Sequence, residues 1–145
     1  LEGFGIMARS EEYEIQCMVI EWAELESRHS TMQGLCRLFS TLNGIKLTIG
    51  QAVKAKKAGN RKGVTDLILP CVRGGYCGLW IELKTATGSV SPEQKEEIEY
   101  LNAEGYHAVV CRGFTETISV LKDYVTGRIK KTKQKRGSYD ITRRT

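Results

Sequence analysis

The chain predicts an α/β fold, a mixed β-sheet flanked by helices. Three observations carry this expectation. Stretches with apolar residues at helical spacing alternate with short apolar runs of strand type along the 145 residues. Two strand-like runs, residues 66–72 and 76–84, flank Gly74-Gly75, both of which accept the positive φ of a tight hairpin turn. Ser91-Pro92-Glu93-Gln94 then opens a helix, and the apolar run over residues 107–111 follows it as a further strand.

Each element has a local reason. Residues 1–6 precede a Met-Ala pair and read as a remnant of cloning, with Met7 as the natural start. A long amphipathic helix is expected from Ser10, which can cap it. Glu11 and Glu12 suit its positive end, and Ile15, Met18, Val19, Trp22 and Leu25 recur at helical spacing. After a polar break at residues 27–31, a shorter helix over residues 35–42 should end at the Asn43-Gly44 turn. Residues 45–49 alternate as a short strand, and residues 51–58 form a basic helix closed by Gly59. Pro70 cannot donate to a ladder, so the first hairpin strand should be bulged or lie at a sheet edge. The helix capped by Ser91 runs to about Ala103 and stops at Gly105, and a last helix covers residues 115–125. The order is α-α-β-α-β-β-α-β-α, without internal repeats. Residues 7–127 make one domain, and residues 128–145 a basic tail.

A chain of 16.3 kDa, 41% hydrophobic and 27% charged, has the composition of a single-core globular domain. Wholesale disorder, a collagen-like chain and a disulfide-dense mini-protein are excluded. No apolar run is long enough to span a bilayer and no signal-peptide pattern opens the chain, so a cytoplasmic location and no membrane partner are expected. Cys17, Cys36, Cys71, Cys77 and Cys111 are odd in number and form no CxxC pair. They read as reduced and mostly buried, not as a zinc site.

The net charge of +5 is unevenly spread. Residues 37–62 hold seven bases and no acid, and residues 128–145 hold eight bases against Asp140 alone. Such blocks suit a polyphosphate partner, although a solvated tail kept for solubility is the plainer reading.

The chemistry-bearing stretch is Gly63-Val64-Thr65-Asp66, followed after the hairpin by Trp80-Ile81-Glu82-Leu83-Lys84. Strand period two puts Trp80, Glu82 and Lys84 on one face and Leu79, Ile81 and Leu83 toward the core. If the hairpin pairs as its turn implies, Asp66 returns beside Glu82 and Lys84. Two carboxylates at one point can hold Mg²⁺, and an adjacent ammonium can meet phosphate. A lone Glu-x-Lys is weak, since Glu93-Gln94-Lys95 repeats it inside a helix start. For Glu82 and Lys84 alone, a solvent-facing ion pair is the simpler reading. The conjunction with Asp66 after a glycine turn favours a site. His29 and His107 lie far apart, and no Ser or Cys has an evident base, so nucleophilic catalysis gains little support.

These stretches resemble the PD-(D/E)xK nucleases, and among them the virus-type replication–repair nuclease (VRR-Nuc) domain. The resemblance rests on residues 10–16, Leu42-Asn43-Gly44, residues 59–67, Ile81-Glu82-Leu83-Lys84, residues 88–94, and residues 101–110 with Gly105-Tyr106. Thr65 departs from it, standing where the family usually has the proline of its name.

The resemblance implies a restriction-endonuclease-like core and a Mg²⁺- or Mn²⁺-dependent deoxyribonuclease. Asp66, Glu82 and the backbone carbonyl of Leu83 would bind the metal, and Lys84 would position or help deprotonate the attacking water. The first-helix acid falls on Glu12 or Glu14. Glu12 is preferred because it lies one helical turn before Gln16. Gln94 matches the family's Gln, a role compatible with helix capping. Lys46, Lys54, Lys56, Lys57, Arg61 and Lys62, with Lys130, Lys131, Lys133, Lys135 and Arg136, would bind DNA backbone without reading sequence. Stand-alone members are associated with viruses and phages, which implies a homodimer acting on branched DNA such as four-way (Holliday) junctions in the host cytoplasm. A general nickase or flap nuclease, and a non-catalytic basic DNA-binding module, are the alternatives.

Overall fold

Four strands form one mixed sheet in the order β1-β2-β3-β4: β1 (Phe39–Ser40), β2 (Leu67–Leu69), β3 (Leu79–Lys84) and β4 (His107–Arg112). The computed structural model describes residues 2–132, with side chains from Ser10 onward. β1 and β2 pair antiparallel, as do β2 and β3, whereas β3 and β4 run parallel with Leu79 opposite His107 and Lys84 opposite Arg112. Helix α3 (Pro92–Ala103) makes the crossover that a parallel pair requires.

Helices α1 (Glu2–Glu26) and α4 (Gly113–Val125) pack against each other and against the sheet. Val19 and Ala23 of α1 meet Leu121, Tyr124 and Val125 of α4 over Leu67, Leu69, Leu79, Ile81 and Leu83, all buried. The odd-numbered residues of β3 thus face the core as expected. Tyr124 donates its hydroxyl to the Cys71 carbonyl at 2.7 Å, which satisfies a polar group inside this cluster.

Several expectations are corrected. α1 does not start at Ser10 but runs through it, because no proline interrupts the preceding residues and a nucleated helix propagates. The helix expected over residues 35–42 is a 3-10 segment, Ser30–Arg37, with Leu35 buried, and the chain then extends as β1. Residues 45–49 form no strand. Thr48 instead caps α2 (Ile49–Lys57) in a reciprocal capping box with Gln51. Of the cysteines only Cys71 and Cys111 are buried; all five are free thiols, with Cys17, Cys36 and Cys77 exposed.

β2 ends before Pro70 and is an inner strand. Between the Leu69–Leu79 pair and the Arg73–Tyr76 bridge, three residues on one side face two on the other, so the bulge forms and the edge position does not. Gly74 takes φ +58°, and a Cβ there would lie 1.9 Å from the Ile129 carbonyl oxygen. The chain beyond Gly127 presses on this turn: Lys131 N–H donates to the Gly74 carbonyl at 2.8 Å, and Ile129 packs against the core. Lys133, Lys135 and Arg136 lie outside the described residues.

Candidate active site

The hairpin register fixes the first acid. Asp66 N–H donates to the Ile81 carbonyl at 3.0 Å, and its Oδ2 accepts from Leu83 N–H at 2.7 Å. Asp66 is thereby tied to the strand that carries Glu82 and Lys84. The turn ahead of it is held on both sides. Gly63 takes φ +87°, and a Cβ there would fall 2.9 Å from the Glu93 backbone, so only glycine lets the turn press on the first turn of α3. Thr65 is fully buried, and its carbonyl accepts from the Thr41 hydroxyl at 2.8 Å. Hydrogen bonding from β1's end therefore secures the position where the family has proline.

Glu82 and Lys84 are not a solvent-facing pair. Glu82 is 2% exposed and Lys84 9%. The Lys84 Nζ stands 3.5 Å from Glu82 Oε1 and 3.9 Å from Glu12 Oε1, so the acid that α1 brings to the site is Glu12, while Glu14 is exposed to solvent. Gln94 performs two tasks at once. Its Oε1 accepts from Ser91 N–H at 2.9 Å, closing the α3 capping box, and its Nε2 donates to Glu82 Oε1. Glu82 Oε2 is left buried with no hydrogen-bond partner.

Burial pushes the Glu82 carboxyl up to about 8; repulsion from Asp66 adds to the shift and Lys84 opposes it. Burial also raises Asp66 to about 6 against the hydrogen bond from Leu83. Two carboxyls that resist ionisation in each other's company are a set that a cation would favour. The residues fit a divalent ion in this sense: hard oxygen donors converge, and one buried oxygen lacks any partner. Among the described residues no group of three or more His, Cys, Asp and Glu side chains is arranged to hold a metal. The protein would therefore supply only part of a coordination shell.

The five expected catalytic side chains, Asp66, Glu82, Lys84, Glu12 and Gln94, line one cleft of about 940 Å³. Lys46 and Lys62 line it too, and Lys56, Arg61 and Lys62 line an adjoining notch with Asn43 and Asn60. Lys62 also pairs with Glu93 at 3.2 Å. Lys54 and Lys57 are exposed in the last turns of α2. Lys130 and Lys131 are not part of this cluster: they sit by the Gly74 turn, at the opposite end of β3. Sequence reasoning placed Gln16 and Asn43 in the resembling stretches but assigned them no role in the site. Gln16 is buried in the cleft wall, and Asn43 donates to the Val64 carbonyl ahead of Asp66. For Gln16 the available signal was its place one helical turn after Glu12, on the same side of α1.

The VRR-NUC domain profile matches residues 6–115. The chain belongs to this family. A solved structure described as a VRR_NUC domain protein shares 33% identity with it, at a TM-score of 0.66, covering 81% of this chain and 89% of that one. No curated protein matches significantly. The VRR-NUC fold accounts for the four-stranded mixed sheet and its flanking helices, and the family carries nuclease-type DNA processing that generally depends on a divalent metal. No helix among the described residues is long and apolar enough to cross a membrane.

Proposed function

We propose that this VRR-NUC protein is a Mg²⁺- or Mn²⁺-dependent deoxyribonuclease that cuts branched DNA, four-way junctions above all, as a homodimer in a host cytoplasm. The observation that carries the hydrolytic reading is the buried convergence of Asp66, Glu82 and Lys84, with Glu82 Oε2 unpaired. A non-catalytic phosphate-binding module has no use for two desolvated acids, which would repel the backbone.

Asp66, Glu82 and the Leu83 carbonyl would hold the ion, which when bound supplies a Lewis acid and offsets phosphate charge. The remaining work falls to the chain itself. Gln94 holds one oxygen of Glu82 and so leaves the other free to turn toward the cleft. Lys84, steadied by Glu12 and Glu82, orients the attacking water and accompanies the charge that grows on the phosphate. Attack at phosphorus breaks the bond to the 3′ oxygen, leaving a 5′-phosphate and a 3′-hydroxyl. Lys46, Lys56, Arg61 and Lys62 beside the cleft neutralise flanking phosphates without reading bases.

The decisive experiment is incubation with Mg²⁺ or Mn²⁺ and a panel of linear, flapped and four-way DNAs. Metal-dependent cutting strongest on the four-way DNA is expected. Binding without cutting in either metal would favour the docking module, and equal cutting of flaps and linear duplex would favour a general nickase.

A further inference from the structure

The cleft holds two side chains that phosphodiester hydrolysis does not require. Tyr13 and Ile45 line it together with Asp66, Glu82 and Lys84, yet are 51% and 45% exposed. The floor is buried and charged, and Lys46 and Lys62 lie at its side. An uncovered aromatic ring and an uncovered branched aliphatic therefore face the same space as the phosphate-handling groups.

Tyr13 has a firm mount. It follows Glu12, whose carboxylate reaches Lys84 at 3.9 Å, so the ring stands one residue from the reacting groups on α1. Cys17 lies one turn along from it on the same side of the helix. A sugar–phosphate backbone is polar and gains nothing from such a wall. A base does, because every base has a face that stacks on an aromatic ring. In an intact duplex both faces are already covered by neighbouring pairs. Only a nucleotide drawn out of the stack can offer one.

Resting on the nuclease reading above, we propose that Tyr13 and Ile45 form a nucleobase wall that selects a nucleotide unpaired beside the phosphate bound at Asp66, Glu82 and Lys84. The wall makes flaps, and junctions that open a pair at the crossover, better ligands than continuous duplex. It needs no particular base, since stacking is tolerant of sequence.

Binding tests this without relying on cleavage. The full-length protein is titrated in EDTA into fluorescein-labelled flapped duplexes. In one, the three unpaired nucleotides next to the branch carry bases; in the other they are abasic. The wild type should bind the base-bearing flap about tenfold more tightly, the effect of one stacked base. Tyr13→Phe should keep this preference, Ile45→Ala should reduce it, and Tyr13→Ala should bind both flaps equally at the abasic level. Unchanged melting of Tyr13→Ala, expected for a half-exposed side chain, excludes misfolding as the cause. A wild type indifferent to the bases, or a Tyr13→Ala that keeps the preference, overturns the wall while leaving the nuclease reading intact. A protein that binds neither flap overturns the wall, and one that in addition cuts no DNA of the panel with Mg²⁺ or Mn²⁺ overturns both.

Discussion

Glu82 gives one carboxylate oxygen to Gln94 and keeps the other unpaired where solvent barely reaches. Such an arrangement is costly for the protein alone and useful only to a partner that arrives later. Asp66→Ala or Glu82→Ala should lower cleavage about a thousandfold, the loss expected when a site supplying several kcal/mol is removed. DNA binding by gel shift should stay intact or tighten, because a carboxylate facing phosphate is gone. Lys84→Ala should be nearly as inactive yet still bind metal by calorimetry. A pH effect follows from the same residues. Folded Glu82 and Asp66, raised to about 8 and about 6, keep protons that the unfolded chain has already released. Metal-free stability should therefore fall as pH rises from about 4 to about 8. Added Mg²⁺ or Mn²⁺ should raise Tm more at pH 8 than at pH 5.5, since only the ionised pair holds the ion. Equal shifts at both pH values would count against this pair as ligands. In the sequence, Asp66, Glu82 and Lys84 were readable as a set because strand period and one hairpin bring them together. Their burial was not readable: it comes from α1 and α3 closing over the strand, which no local pattern encodes.

Among the elements, local signals served where local chemistry decides. The Ser91 capping box, the Gly74-Gly75 turn and the β3 alternation all appear where the sequence put them. β1 did not, because a two-residue strand has no period. It exists only through pairing with β2 and the Thr41 N–H bond to the Asp66 carbonyl at 2.9 Å. Thr48-Ile49-Gly50-Gln51 was a legible cap that the alternation of neighbouring residues obscured. The segment after α4 is another case of tertiary contact overriding composition. Its charge reads as a free tail, yet Arg128 and Ile129 N–H both reach the Asp123 carbonyl, and Ile129 joins the core. Truncation after Gly127 should consequently lower Tm by roughly 3–6 °C, about one buried aliphatic contact. Truncation after Thr132, which removes five bases and one acid, keeps the docked segment and is the reference for that comparison. Both should weaken DNA binding and flatten its salt dependence. Equal Tm values for the two truncations would mean that the docked segment contributes no stability.

For the whole molecule, on the function proposed above, one chain with one Asp66–Glu82–Lys84 set would cut one strand at a time, whereas resolving a junction takes two cuts. A two-fold pair would supply them. Light scattering should give twice the 16.3 kDa chain mass, and a supercoiled cruciform should become linear by paired incision. A monomer that accumulates nicked circles would remove the dimer and leave the site. Leu35 is buried and contributes nothing to such an interface, but Met18 and Leu25 on α1, and Ile49 and Val53 on α2, remain open to solvent. The separation of Lys130 and Lys131 from the cleft has a further consequence. β3 alone puts roughly 17 Å between the Gly74 end and Lys84, at about 3.3 Å per residue. Successive phosphates on one strand rise 3.4 Å along a duplex. A DNA arm that runs from the cleft to Lys130 and Lys131 would have to extend at least about five base pairs past the incision. If Lys130 and Lys131 hold that arm as proposed, trimming it below that length should drop affinity in a single step at constant sequence.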